Sequence, residues 1–203
     1  MEKHILINIG RQFGSGGKSV ANALGERLGI EVFDSELIAK AAEQSGLSEE
    51  FFSQSDEKKR TFKIGGIFGS NRYGGFTNNV LSDSELFKIQ SGVIRDIAEK
   101  QSAIFLGRAS DYVLRDMECL DVFICAPMDV RKETIAQRRS ITLEEAESLI
   151  IRKDKGRENW YNLFTFAHWG VASNYDLCID SSILGIEGTA DFIIDFGRKA
   201  GKI

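Results

Sequence analysis

Gly10-Arg-Gln-Phe-Gly-Ser-Gly-Gly-Lys-Ser19 is the stretch that decides the fold of this 203-residue chain. The apolar run Ile5–Ile9 precedes it and predicts a buried strand, while Val20, Leu24 and Leu28 follow at the spacing of one helix face. A glycine-rich turn between a strand and a helix is the setting that a phosphate-binding P-loop requires. Its glycines let successive backbone N–H groups face one phosphate, and the helix start adds the positive end of its dipole.

The motif predicts a role for each residue of its second half. The Lys18 ammonium is expected to reach the β- and γ-phosphates of ATP, and the Ser19 hydroxyl is expected to be a metal ligand for Mg²⁺. A full P-loop has a glycine six residues before the lysine, where this chain has Gln12. The alternative is a glycine-rich turn that binds no ligand, but such a turn does not require Lys-Ser at the helix start. The predicted ATP-binding residues are Gly14, Ser15, Gly16, Gly17, Lys18 and Ser19.

Predicted strands and helices alternate outward from this loop. Ser82 with Glu85, and Thr142 with Glu145, form capping boxes that open two helices. Alternation of this kind predicts an α/β fold in which a mostly parallel sheet carries helices on both faces. The other predicted strands are Ile30–Phe33, Ala103–Leu106, Asp121–Ala126 and Leu177–Ile179.

Length and composition limit the class of protein. A chain of this length favours a single domain, residues 1–203, with a core that needs neither disulfides nor metals. With 26 Lys and Arg against 30 Asp and Glu, the net charge of −4 argues against a nucleic-acid partner, so an anionic ligand needs a local cationic cluster. Three cysteines without CxxC spacing, and no apolar run near the roughly 18 residues of a membrane span, predict a cytoplasmic protein with no membrane partner. Protein partners are left open.

Two segments are expected to move. Arg60–Asn79 holds five glycines among aromatic residues and has neither a helical nor a strand period, which predicts a mobile loop. The segment Lys155–Tyr161 lies in a cation-rich region that would open to admit ATP and close to exclude water.

Five segments carry a resemblance to a known family. They are GRQFGSGGKS, VFDSELIAKAAEQSGLSEEFF, FKIQSGVIRDIAEKQSAIFLGRASDYVL, RKDKGRENWYNLF and WGVASNYDLCIDSSILGIE. In this order they resemble the nucleoside monophosphate kinases, and most closely the cytidylate kinase-like family. The resemblance spans nearly the whole chain outside Arg60–Asn79.

The resemblance implies a P-loop kinase fold and an activity. Residues 35–100 would form a substrate-binding insert and residues 140–166 a lid region within the single domain. The expected reaction transfers the γ-phosphoryl group of ATP to a nucleoside monophosphate, most closely CMP or dCMP, with ATP and Mg²⁺ as cofactors and nucleotides as partners. Two alternatives stay open because the chain departs from the family in three ways. It has Leu106 and Ala109 where the family has Asp on either side of Gly-Arg, its P-loop is incomplete, and its lid has fewer arginines. The alternatives are a P-loop kinase for another small acceptor, and a nucleotide-binding regulatory module without catalysis.

The resemblance also implies two sets of site residues. Arginine suits such sites because its planar fork binds phosphate oxygens in pairs. Each of these charged residues also has an alternative role that is structural only. Asp34 would cap a helix, and Arg108 would form an ion pair. Asp111 would be a cap or a surface acid, and the lid cations would lie on a solvated helix face. The implied substrate-binding residues are Asp34, Lys40, Arg108, Asp111 and Arg131, and the implied catalytic residues are Lys18, Lys155 and Arg157.

Aromatic residues cluster after the lid region. They could stack on a nucleobase, but large apolar side chains are more often buried in a core, and core packing is therefore expected. The cluster consists of Trp160, Tyr161, Phe164, Phe166 and Trp169.

Overall fold

The computed structural model of the chain describes residues 4–44 and 82–203. Within them, a five-stranded sheet has the order β2-β3-β1-β4-β5, and every neighbouring pair is parallel. The first strand is therefore central, and the loop that follows it opens at the middle of the sheet's carboxyl edge. The strands are β1 Leu6–Arg11, β2 Glu31–Phe33, β3 Ala103–Leu106, β4 Leu120–Cys125 and β5 Leu177–Asp180.

Helices follow the strands as the α/β prediction requires. The sequence patterns missed two of them, α4 and α5, because neither has a clear apolar period. The last helix is interrupted at Gly185, where φ is 68°. The helices are α1 Gly17–Leu28, α2 Ser35–Gln44, α3 Asp83–Lys100, α4 Ser110–Val113, α5 Met128–Arg139, α6 Leu143–Thr165 and α7 Ser181–Lys199, with a short 3₁₀ turn at Ala172–Asn174.

Both faces of the sheet are buried. Leu6 of β1 and Phe105 of β3 pack with residues of α2 and α3 on one face. Ile7 and Ile9 of β1 pack with residues of α1 and α7 on the other. Successive side chains of a strand point to opposite faces, so a strand covered on both sides is mostly apolar, although β1 also buries Asn8. The predicted α/β fold with helices on both faces is confirmed.

Local capping signals fix the helix boundaries. Both predicted capping boxes form: Ser82 and Glu85 open α3, and Thr142 and Glu145 open α6. The segment Lys155–Tyr161 lies inside α6, whereas Arg60–Asn79 lies outside the described residues. Over the described ranges, no helix combines the length and apolarity that a bilayer crossing demands.

A helical hairpin covers the phosphate loop. Helices α5 and α6 pack together around a small core of Ile135, Ala146, Leu149 and Ile150. Phe13 of the loop packs against this core. The hairpin is therefore held against the loop by apolar contact, which brings the charged face of α6 close to the carboxyl edge of the sheet.

Candidate active site

The phosphate loop is anchored to the neighbouring strand. The amide of Gln12 donates to the carbonyl of Ile124 in β4 at 3.0 Å. The hydroxyl of the buried Ser15 lies within hydrogen-bond distance of the carbonyl oxygens of Gln12, at 2.9 Å, and of Ile124, at 3.1 Å. These bonds fix the first half of the loop. Gly16 then turns into α1 with a φ of 74°, a left-handed conformation that favours glycine.

The start of α1 leaves its backbone donors open. Gly16 precedes the helix without any side-chain cap. Within the described part of the chain, the amides of Gly17, Lys18 and Ser19 donate to no acceptor, and the Ser19 hydroxyl is likewise unpaired. Unpaired N–H groups at a helix start, together with the helix dipole, form a natural site for an anion. The geometry thus suits the phosphate and metal roles predicted for this stretch.

Lys18 and Asp34 meet at the carboxyl edge of the sheet. Lys18 Nζ lies 2.8 Å from Asp34 Oδ2, and the lysine side chain is 65% exposed. Asp34 Oδ1 also accepts hydrogen bonds from the amides of Glu36 and Leu37, so the carboxylate caps α2 as well. Burial alone would raise the pKa of Asp34, but these hydrogen bonds hold it below its usual value. The capping role and a role at the site therefore coexist in one side chain.

A cleft of about 450 Å³ opens beside the phosphate loop. We call it the cationic cleft, because the described residues that line it include six basic side chains and one acidic side chain, Asp111. Such an excess of positive charge in a chain of net charge −4 favours an anionic ligand. The basic residues are Arg11, Arg108, Arg139, Arg152, Lys153 and Arg157.

Arg108 is held rigidly in the turn after β3. Its Nε donates to Oε1 of the buried Gln90 at 2.9 Å, and its guanidinium lies 4.3 Å from the centre of the Trp160 ring. Burial lowers its pKa to about 10. Gly107, Arg108 and Ala109 all have positive φ, at 78°, 65° and 56°. Two successive non-glycine residues in this conformation are strained, and such strain is typical of functional sites.

Arg157 of α6 reaches back to the phosphate loop. Its Nη1 donates to the backbone carbonyl of Arg11 at 2.8 Å and lies 3.6 Å from Asp154 Oδ1. Burial lowers its pKa, although the Asp154 charge acts in the opposite direction. This predicted catalytic residue therefore lies between loop and cleft, where an incoming phosphate would meet its guanidinium.

Asp111 forms the acidic end of the cationic cleft. Its Oδ2 accepts a hydrogen bond from the Tyr161 hydroxyl at 2.7 Å. Burial raises the pKa of Asp111 to about 6, and burial together with the Asp111 charge raises the pKa of Tyr161. The carboxyl group can consequently accept from, or when protonated donate to, a polar ligand edge.

Besides Lys18 and Asp34, three predicted substrate-binding or catalytic residues do not line the cationic cleft. Lys40 lies in a separate surface groove between α2 and α3. Lys155 is exposed and pairs with Glu158 at 3.0 Å. Arg131 is buried behind the loop and pairs with Asp154 at 2.6 Å. Their roles in catalysis or substrate binding stay predictions, and the geometry gives Arg131 a supporting position under the loop.

Sequence reasoning missed Arg11. The P-loop pattern specifies glycines, lysine and serine, and it treats the residues between them as free, so nothing marked this arginine. It is the last residue of the central strand β1, at the carboxyl edge of the sheet where ligands bind in open α/β folds. That position was the signal that could have found it.

The aromatic cluster divides between core and cleft. Trp160 packs against the buried core and stacks edge-on with Phe164, while Trp160, Tyr161 and Trp169 also line the cationic cleft. Phe166 contradicts the expected core packing, since it is 91% exposed. It caps the end of α6 in a left-handed conformation, with a φ of 54°.

Comparison with known proteins identifies the family. The sequence profile of the cytidylate kinase-like family matches residues 6–183. A cytidylate kinase of Methanopyrus kandleri is 27% identical over 88% of this chain and 85% of its own. A cytidylate kinase of Methanobrevibacter smithii is 29% identical over 94% of this chain and 96% of its own.

Solved structures agree on the fold. An uncharacterized protein from Eubacterium ventriosum superposes with a TM-score of 0.69 and 24% identity, over 95% of this chain and 98% of its own. A shikimate kinase from Bacteroides thetaiotaomicron superposes with a TM-score of 0.52 and 11% identity, over 98% of this chain and 99% of its own. The predicted P-loop kinase fold is confirmed by these similarities.

Proposed function

The chain belongs to the cytidylate kinase-like family, and we propose that it transfers the γ-phosphoryl group of ATP to a nucleoside monophosphate, with CMP or dCMP as acceptor. The observation that carries the proposal is that the open donors of the phosphate loop adjoin the cationic cleft. The phosphate loop offers open backbone donors at the start of α1, and the cationic cleft begins at Gly10 and Arg11 of the same loop. Donor and acceptor phosphates would thus lie next to each other.

The phosphate loop would hold the donor. Its amides and the Lys18 ammonium would bind the β- and γ-phosphates, and Ser19 would hold Mg²⁺. The metal, when bound, would neutralise charge on the phosphate oxygens. Lys18 already lies at the loop in an exposed ion pair with Asp34, so binding of a triphosphate requires only a small movement of a flexible side chain.

Exposed apolar residues beside the loop offer a place for the adenine. Ser181 Oγ donates to the Ser15 carbonyl at 2.5 Å, which ties the start of α7 to the phosphate loop. Two and three residues further on, Ile183 and Leu184 are 76% and 47% exposed. A flat base packed on these side chains would cover apolar surface that water now contacts.

The cationic cleft would hold the acceptor. Arg108 would bind its phosphate, and Asp111 with Tyr161 would contact the polar edge of the base beside the Trp160 ring. Asp34 would orient the acceptor at the edge of the sheet, next to Ser35 of the cleft lining. Lys40 and Arg131 would act in substrate binding only after rearrangement, since neither lines the cleft.

Catalysis would consist of positioning and charge stabilisation. The acceptor phosphate is already an anionic nucleophile, so phosphoryl transfer needs no covalent protein intermediate. Lys18 and Arg157 would stabilise the charge on the transferring group. Lys155 would join them only if α6 moves. In this proposal residues 35–100 form the substrate-binding insert and residues 140–166 the lid, whose Arg152 and Lys153 line the cleft beside Arg139 of α5.

A panel of acceptors tests the proposal. ATP consumption is measured with CMP, dCMP, UMP, AMP, shikimate and gluconate at equal concentrations. Higher kcat/KM with CMP and dCMP supports the proposal. Turnover with a non-nucleotide acceptor alone would favour a kinase of another small molecule. Binding of ATP without turnover in any arm would favour the regulatory module.

A further inference from the structure

Arg11 spans the space between the phosphate loop and the turn after β3. Its Cβ packs against Gly17 at the start of α1, where an added Cβ would lie 2.7 Å away. Its Nη1 lies against Gly107, where an added Cβ would overlap the guanidinium. Glycine at both positions therefore makes room for this one side chain. Its charged end lines the cationic cleft beside Arg108.

The guanidinium of Arg11 has no partner in the part of the chain that the structure describes. Its neighbours differ: Arg108 donates to Gln90, and Arg157 donates to the Arg11 carbonyl. Burial, together with the charges of Arg157 and Arg108, lowers the pKa of Arg11 to about 9. A guanidinium has five N–H donors, and partly buried donors without acceptors cost free energy that an acceptor-rich ligand can recover.

The charges around Arg11 specify the ligand's chemistry. The charges of Arg108 and Arg157 repel that of Arg11, and Asp34, the acidic group that opposes this repulsion, is paired with Lys18. An anion placed among three guanidinium groups removes the repulsion and accepts their hydrogen bonds. A phosphate monoester carries nearly two negative charges at neutral pH and offers three acceptor oxygens, which a neutral polyol does not.

We propose that Arg11 binds the phosphate group of the acceptor, so that a side chain of the donor loop itself selects phosphorylated acceptors. The proposal rests on the proposed function. Because Arg11 belongs to the loop that would hold the γ-phosphate, the acceptor phosphate is placed beside the group it receives. The acceptor class is therefore a phosphate monoester, and the unphosphorylated nucleoside is discriminated against.

Equilibrium binding measures this selection directly. The affinities of CMP and of cytidine are determined by calorimetry while a non-hydrolysable ATP analogue with Mg²⁺ fills the phosphate loop. Wild type is compared with Arg11→Met and Arg11→Lys. Arg115→Met is the control, because Arg115 is an exposed arginine that does not line the cleft.

The wild type is expected to bind CMP more tightly than cytidine. Arg11→Met is expected to lower that ratio by about 10- to 100-fold, the usual worth of a hydrogen bond to a charged group. Arg11→Lys keeps the positive charge but lacks the planar guanidinium, so its ratio is expected to lie between those of the wild type and Arg11→Met. Arg115→Met is expected to keep the wild-type ratio. Thermal melts of each variant show that it is folded.

An unchanged ratio in folded Arg11→Met or Arg11→Lys overturns the inference. So does a wild type that binds CMP and cytidine equally. Turnover separates this failure from that of the proposed function. If the wild type phosphorylates CMP but Arg11→Met keeps the wild-type ratio of CMP to cytidine affinity, only the proposed role of Arg11 is contradicted. A protein that binds CMP through Arg11 without transferring a phosphoryl group contradicts the proposed function alone.

Discussion

The carboxylate of Asp154 in α6 accepts a hydrogen bond from the backbone amide of Phe13 in the phosphate loop, at 2.6 Å. Its other oxygen accepts from Arg131 Nη1, also at 2.6 Å, and the side chains of this ion pair are only 15% and 7% exposed. A single acidic residue of the proposed lid thus joins the loop, the buried arginine below it and α6. The shape of the loop depends on the lid helix as well as on its own glycines.

Asp154→Asn is expected to destabilise the fold strongly. The amide keeps the shape of the side chain but leaves the buried Arg131 charge uncompensated, which costs about 3–5 kcal/mol. Urea denaturation gives the change in unfolding free energy. Asp116→Asn is the matched control: its exposed pair with Arg95 should contribute about 1 kcal/mol or less. Equal losses of unfolding free energy in Asp154→Asn and Asp116→Asn would show that the Asp154 network does not stabilise the loop.

Lys18→Ala is expected to lower kcat by at least about 100-fold, as for the loss of other preorganised charge-stabilising groups. Stability should barely change, because the lysine is exposed and surface ion pairs contribute little. Lys199→Ala removes a similarly exposed lysine paired with Asp195 at the end of α7 and should keep full activity. A near-normal kcat for Lys18→Ala with every nucleotide tested would refute the P-loop assignment.

Arg108→Ala is expected to raise the KM for the acceptor far more than the KM for ATP. A contact that is equally strong in the ground and transition states appears mainly in KM. Alanine meets the same left-handed strain as arginine at a φ of 65°, so the backbone should tolerate the change. Arg115→Ala serves as the control in steady-state kinetics. An effect restricted to the KM for ATP would remove Arg108 from the acceptor site.

Asp111 is expected to make stability depend on pH. Its pKa in the folded protein is about 6, above the usual 3.8, so the folded state binds this proton more tightly than the unfolded state does. Stability from this group is therefore present at low pH and is lost as pH rises from about 4 to about 6. Over that window the unfolding free energy of Asp111→Asn should rise relative to wild type by up to about 3 kcal/mol. Parallel pH profiles for the two proteins would contradict the raised pKa.

Local sequence signals were sufficient for most of the fold. Apolar runs predicted the strands, and the Ser82 and Thr142 capping boxes predicted helix starts, because both signals act between residues close in the chain. Helix α5 was missed because few of its residues are buried and its surface is mainly charged. Phe166 is exposed at the left-handed end of α6, a position that its hydrophobicity alone does not predict.

The candidate site was less predictable than the fold. The loop follows from glycine and lysine spacing, and Arg108 follows from its place after a strand. The surroundings of Lys40, Lys155 and Arg131 depend on how α2, α5 and α6 are rotated against the sheet, which contacts distant in sequence decide. Arg11 required knowledge that Gly17 and Gly107 lie on either side of it. Both glycines are visible in the sequence, but their proximity is not.

Transfer of a labelled γ-phosphoryl group from ATP to CMP tests the central claim most directly. Wild type, Lys18→Ala and Lys199→Ala are incubated with γ-labelled ATP, Mg²⁺ and CMP, and the products are separated. The account predicts label in CDP with wild type and Lys199→Ala, and its near absence with Lys18→Ala. Label that stays in ATP or appears only as inorganic phosphate with the wild type, for CMP and for every other nucleoside monophosphate, would contradict it.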